Sequence, residues 1–113
     1  MPRYRLSPLA EADIDNILDE TVRLFGSAQE ERYYHLILIA VERVAEDPFC
    51  TGTKACDDLS TGLRSFHIGM AASRQRAASH VLYFRPVTSS EGETEILIAR
   101  ILHDRMDPER HIE

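Results

Sequence analysis

Apolar residues recur at helical spacing twice in the first half of the chain. In the second half they alternate with polar residues in three short runs. Ile14, Ile17, Leu18, Thr21 and Phe25 make one helical stripe. Ser7 precedes it as an N-cap, Pro8 takes the first helical position, and Glu11 and Asp13 fall where the helix dipole favours acids. Gly26 closes this helix as a left-handed cap. Ser27-Ala28-Gln29-Glu30 then predicts a capping box opening a second helix. Tyr33, Tyr34, Ile37, Leu38, Val41, Val44 and Ala45 give that helix a wide apolar face, and Asp47-Pro48 stops it. So short a connection folds the pair into an antiparallel hairpin.

The remaining pattern is that of a sheet. Leu63–Gly69, His80–Val87 and Glu95–His103 read as strands from composition and alternation. The last two are apolar on both faces for part of their length, as inner strands are. Pro86 cannot donate to a ladder, so pairing is expected to fail near the end of its strand. Ser89-Ser90-Glu91-Gly92-Glu93 predicts a hairpin loop. Met70–Ser79, with Arg74 and Arg76, reads as an extended hairpin loop. Residues 49–62 read as a linker rich in Thr, Gly and Asp. Tyr4 and Leu6 alternate with arginines, so the N-terminal segment can add a strand. The predicted architecture is α+β: an N-terminal strand, then an antiparallel helix hairpin packed on a small antiparallel β-sheet. With 113 residues it forms a single domain, 1–113.

Charge and cysteines narrow the function classes. The net charge is −6. Residues 1–62 hold 6 basic and 12 acidic side chains, and residues 63–113 hold 7 of each. An affinity built on phosphate contacts calls for a basic surplus, which is missing here, so a protein partner fits better than nucleic acid. Cys50 and Cys56 lie in one loop without a CxxC pair or a nearby His, and read as reduced thiols rather than zinc ligands. Apolar content is 43% and charged content 28%, as in soluble globular proteins. No apolar run is long enough to span a bilayer, and the N-terminus lacks the apolar stretch of a secretory signal; the expected compartment is the cytoplasm.

Catalytic patterns are sparse. GxxxxGK[ST], HExxH, GxSxG and GxGxxG are all missing, so nucleotide hydrolysis, zinc proteolysis and dinucleotide binding have no support. Asp57-Asp58 reads as solvated loop charge rather than a metal site. Ribonuclease chemistry needs a base, an acid and a cation for the phosphate. His103, His111, Glu109, Arg64, Arg85, Arg100 and Arg110 are side chains of the right types. A histidine at the end of a strand, such as His103, is more often a structural hydrogen-bonding group than a base.

Four segments, in order, carry a family resemblance. They are Tyr4-Arg5-Leu6-Ser7-Pro8-Leu9-Ala10-Glu11-Ala12-Asp13; Glu31-Arg32-Tyr33 with Val41-Glu42-Arg43-Val44-Ala45-Glu46-Asp47-Pro48; Gly62-Leu63-Arg64-Ser65-Phe66; and, most specific, Arg100-Ile101-Leu102-His103-Asp104-Arg105-Met106-Asp107-Pro108-Glu109-Arg110-His111. Singly each is weak; together they span nearly the whole chain. The sequence resembles the ParE branch of the RelE/ParE toxin superfamily. Met70–Ser79 departs from the pattern, since related chains pass more directly from the second strand to the third.

The resemblance implies a toxin of a type II toxin–antitoxin pair that blocks DNA gyrase by binding. Its partner would be a ParD-like antitoxin with a ribbon-helix-helix half and a tail that folds on the toxin, and no cofactor is implied. Leu9, Ile17, Tyr33, Tyr34 and Ile37 are the candidate antitoxin contacts on the hairpin, each also readable as core. Arg64, Arg100, Arg105 and Arg110 are the candidate target contacts, each also readable as a partner of Asp104, Asp107 or Glu109 in surface pairs. The alternatives are a RelE-like ribosome-dependent mRNA endonuclease and a non-toxic antitoxin-binding co-repressor. The nuclease branch is rich in lysines and arginines over its RNA face, with catalytic Arg, Lys, Tyr or His groups on the sheet and tail. The single lysine, Lys54, and a C-terminus without an aromatic residue weigh against it.

Overall fold

Ser7 organises the start of the fold in the computed structural model, which describes residues 3–72 and 78–112. Its hydroxyl accepts the Ala10 N–H at 3.0 Å, capping helix α1 (Pro8–Phe25), and donates to the Ala99 carbonyl at 2.7 Å. One side chain thus ends the first strand, β1 (Tyr4–Leu6), starts the helix and ties both to the far end of the chain. Gly26 alone separates α1 from α2 (Ser27–Glu46). It caps the first helix with its N–H and the second with its carbonyl, at φ +88° and ψ 171°. The expected capping box therefore does not form. Ser27 is already inside the second helix, and no side chain caps it.

Three more strands follow as expected in kind, and a fourth was not expected. Thr53–Ala55 forms β2 within the presumed linker, paired antiparallel to β3 (Arg64–His67). The third strand is shorter than Leu63–Gly69, because Ile68–Ala72 turns into a 3-10 helix. That helix takes Met70–Ala72 from the expected extended loop over Met70–Ser79; residues 73–77, with Arg74 and Arg76, lie outside the described residues. Next come β4 (His80–Thr88) and β5 (Thr94–His103), joined by the expected loop, in which the Ser89 N–H donates to the Glu93 carbonyl at 2.7 Å.

The sheet order is β1-β5-β4-β3-β2. All pairs are antiparallel except the first, in which β1 lies parallel to β5 with Tyr4 opposite Ile96. The sheet is therefore mixed, not purely antiparallel. Pairing also continues past Pro86, which sits opposite Ile96, as far as Thr88 opposite Thr94. Because β3 has already ended opposite Phe84, the strand has one neighbour at Pro86, where a missing N–H is tolerated.

A bulge sets which face each β5 residue takes. Tyr83 lies opposite Arg100, but Phe84 lies opposite Ile98, leaving Ala99 without a partner. The extra residue lets Ile98 and Ile101, three apart in sequence, both join the main core. That core packs Ile17, Tyr33, Ile37, Ala40, Val41 and Val44 of the helices on Phe66, Leu82, Phe84, Ile96, Ile98 and Ile101 of the sheet. Each fully buried ring or branched chain contributes roughly 1.5–3 kcal/mol. On the opposite face Leu63, Tyr83 and Leu102 gather a smaller cluster, covered by Cys56 and Leu59 and by Ile112 from the tail. Cys50 packs on the helix-side core and Cys56 on the other, so the two thiols are divided by the sheet.

Candidate functional site

The stripe of α1 outruns the sheet. Leu24 is 54% exposed and Phe25 70%, although Phe25 belongs to the pattern that buries Ile17. They form one wall of a groove of about 430 Å³ at the end of the hairpin, with Ile17, Thr21, Gln29 and Tyr33 alongside and Ala78, Ser79, His80 and His103 opposite. The groove closes on polar groups. The Tyr33 hydroxyl accepts the Ser79 N–H at 3.1 Å and lies 2.6 Å from His80 Nδ1. Burial holds the Tyr33 proton above its ordinary range, so the phenol stays protonated and donates to the imidazole. Burial, then the neighbouring His103 ring, pushes His80 down to about 4. Neutral His80, with Nδ1 accepting, carries its hydrogen on Nε2.

Asp104 joins two further histidines to this end of the sheet. His67 Nδ1 accepts the Gly69 N–H, which leaves an Nε2–H for Asp104 Oδ2 at 3.1 Å. His103 Nδ1 accepts the Arg105 N–H and sits 3.4 Å from Asp104 Oδ1. The His80 and His103 rings meet edge to face at 5.3 Å. Among the described residues no group of three acidic, His or Cys side chains is arranged to hold a metal ion.

A second groove, of about 560 Å³, lies on the open face of the sheet between α1 and the tail. Val87, Leu97 and Ala99 line it with Leu9, Arg85, Arg100, His111 and Ile112. The tail is fastened here. Arg100 forms two 2.8 Å bonds to Asp13 and donates to the His111 carbonyl at 3.0 Å. Asp107 caps a last 3-10 turn, Pro108–Arg110. At the β2 side, Arg64 stacks 4.5 Å over the exposed Phe49 ring and bonds the Pro48 carbonyl and the Thr53 hydroxyl.

The ParE toxin model of type II toxin–antitoxin systems, parDE, matches residues 4–108. The chain belongs to the ParE toxin family. Toxin ParE1 of Mycobacterium tuberculosis (strain H37Rv) is 36% identical to it over 110 residues, 97% of each chain. Toxin ParE1 of Caulobacter vibrioides is 30% identical over 113 residues, 99% of each. In structure the chain is similar to one in the chromosomal ParDE TA system from P. aeruginosa, with a TM-score of 0.67 and 22% identity, covering 91% of this chain and 96% of that one. The two-helix, mixed-sheet architecture is thus the fold of a ParDE component.

Within this ParE-family fold the candidate contacts are dispersed. Ile17 and Tyr33 line the helix-side groove, and Ile37 is fully buried beneath the hairpin. Tyr34 is 44% exposed on the outside of α2, and Leu9, 57% exposed, belongs to the open-face groove. Of the arginines, Arg100 is locked to Asp13 and Arg64 is held at the opposite side of the sheet. Arg105 and Arg110 are exposed on the tail, Arg110 with Nε 3.8 Å from Asp107.

The groups suited to ribonuclease chemistry are equally divided. His103 faces the helix-side groove, while Arg85, Arg100 and His111 face the open-face groove. Arg64 lies in a third depression, and Glu109 and Arg110 are exposed. Sequence reading missed Leu24, His80, Arg85 and Leu97 as groove residues. The one local signal was the Leu24-Phe25 pair just before Gly26.

Proposed function

We propose that this ParE-family toxin stops growth by binding DNA gyrase, with no reaction of its own, and is neutralised in the cytoplasm by a ParD-like antitoxin. The family match over residues 4–108 carries this reading. The name of the P. aeruginosa neighbour, a ParDE system, pairs such a toxin with a ParD component. A binding mechanism is supported by the dispersal of acid–base groups over separate grooves and by Arg64 and Arg100 serving the fold. General acid–base cleavage needs these groups within bonding reach of one phosphate. A tail that folds on binding needs an apolar groove to fold against, which the hairpin supplies through Leu24, Phe25 and Ile17.

The test is induced expression without antitoxin, following chromosome breakage and bulk mRNA together. Broken DNA with intact mRNA is the expected result. Cleaved mRNA with unbroken DNA would assign the chain to the endonuclease reading instead. Growth with neither effect would leave the co-repressor reading.

A further inference from the structure

We propose that the open-face groove, centred on Arg85 and Leu97, is where the toxin seats its target, and that it takes an acidic protein segment bearing aliphatic side chains. This rests on the chain acting as a toxin by binding. The groove is separate from the helix-side groove, so on this reading target and antitoxin engage different faces, and Leu9 passes from the antitoxin contacts to the target contacts.

Charge is the first argument. The chain carries −6, yet among the described residues the groove lining contains two arginines, a histidine and no carboxylate. Arg100 is neutralised by Asp13, whereas among the described residues the Arg85 side chain makes one bond, from Nη2 to the Ser60 hydroxyl at 2.8 Å. A guanidinium has five N–H donors, and among the described residues no carboxylate meets those of Arg85. It is half-buried on the sheet beside apolar side chains, where a carboxylate from a partner gains a charge-assisted, bidentate contact. The helix-side groove differs: among the described residues that line it, the carboxylate is Glu20.

The second argument is the floor. Val87, Leu97, Ala99, Leu9 and Ile112 are aliphatic, and among the described residues no Phe, Tyr or Trp lines the groove. Single-stranded nucleic acid is held by stacking on aromatics and by several phosphate contacts. One uncommitted cation over an aliphatic floor matches a peptide better. The tail completes the groove through Ile112 and the bond from Arg100 to the His111 carbonyl, so a partner seated there also meets the tail.

Arg85→Glu tests the proposal, with Leu97→Ser as the variant to use if the first does not fold. Three properties are read: growth arrest without antitoxin, affinity for purified gyrase and affinity for the cognate antitoxin. The expected result is loss of growth arrest and a fall in gyrase affinity of about tenfold or more, with antitoxin affinity unchanged. A folded variant that arrests growth like the wild type overturns the groove whatever the target. A variant that loses antitoxin binding instead assigns the groove to the antitoxin and overturns it too. If the wild type arrests growth without binding gyrase and Arg85→Glu abolishes the arrest, the groove stands and the gyrase reading falls. If the activity lost is mRNA cleavage, the occupant is RNA and the acidic-segment proposal is wrong. A wild-type chain that leaves growth unaffected overturns both.

Discussion

Asp13 and Arg100 lie 87 residues apart and are joined by two 2.8 Å bonds, while the same carboxylate also accepts the Ile101 N–H at 2.9 Å. The arrangement repairs the edge of β5. Strand β1 leaves that edge after Leu6, where α1 begins, and two side chains from the start of the helix take over. Ser7 satisfies the Ala99 carbonyl and Asp13 the Ile101 N–H, on either side of the bulge that aims Arg100 at the helix.

Removing one partner of this pair should cost more than a surface ion pair would. The two side chains are 17% and 12% exposed, so truncation strands a half-desolvated charge. Asp13→Ala is expected to lower stability by about 3 kcal/mol, or roughly 10 °C in Tm, because it also orphans the Ile101 N–H. Arg100→Ala should cost less, since Asp13 keeps that N–H. A double-mutant cycle by denaturant unfolding should return a coupling of about 1–3 kcal/mol. A coupling near zero would mean that the contact does not hold the tail.

The contrast between Ser7 and Ser27 shows what is legible in the sequence. Both precede amphipathic runs with suitable cap chemistry, but only Ser7 caps, because Gly26 is left to serve both helices at once. Helix faces, the last three strands and the hairpin loop follow from local periodicity and turn residues. Strand β2 does not: Thr53-Lys54-Ala55 is mostly exposed and exists only through its pairing with β3. The parallel placement of β1 and the bulge at Ala99 depend on partners at the far end of the chain. The site suffers most from this non-locality. Tyr33 meets His80 47 residues away, and the open-face groove exists only once the tail has folded back on β5.

His80 should make the fold acid-sensitive over a defined window. Its folded pKa is about 4, lowered from 6.5 chiefly by burial and then by His103. The unfolded chain therefore binds the proton more readily, and stability falls as pH drops. The contribution is complete above about 6.5, is lost between there and 4, and is flat below. It amounts to about 2 kcal/mol after allowing for solvent screening at a half-buried ring. Denaturant unfolding at pH 7.5 and pH 4.5 of the wild type and His80→Gln, whose slope should be shallower by that amount, measures it. An NMR midpoint for His80 above 6 would contradict it.

Gly26 is required by its backbone alone. At φ +88° and ψ 171° it occupies a region open essentially to glycine, yet a Cβ there would meet nothing within 4 Å. Gly26→Ala should therefore cost about 1–3 kcal/mol with no change in packing. Lengthening the connection by one glycine beside an alanine should recover part of the loss. Equal stability of Gly26→Ala and wild type in thermal melts would show that the hairpin relaxes to another cap.

Adjacent tyrosines on α2 differ in burial, which allows the candidate antitoxin contact to be tested apart from the core. Tyr33 is 8% exposed, and its hydroxyl holds both Ser79 and His80, so Tyr33→Phe should cost about 1–3 kcal/mol by leaving those groups unpaired. Tyr34 is 44% exposed, and Tyr34→Ala should change stability by no more than about 0.5 kcal/mol. If the antitoxin tail crosses the outside of the hairpin, Tyr34→Ala should weaken its binding about tenfold, as loss of an aromatic anchor does. Titration calorimetry with the purified antitoxin decides the path. Full affinity in Tyr34→Ala, combined with a loss in Phe25→Ser, would confine the tail to the helix-side groove against Leu24 and His103.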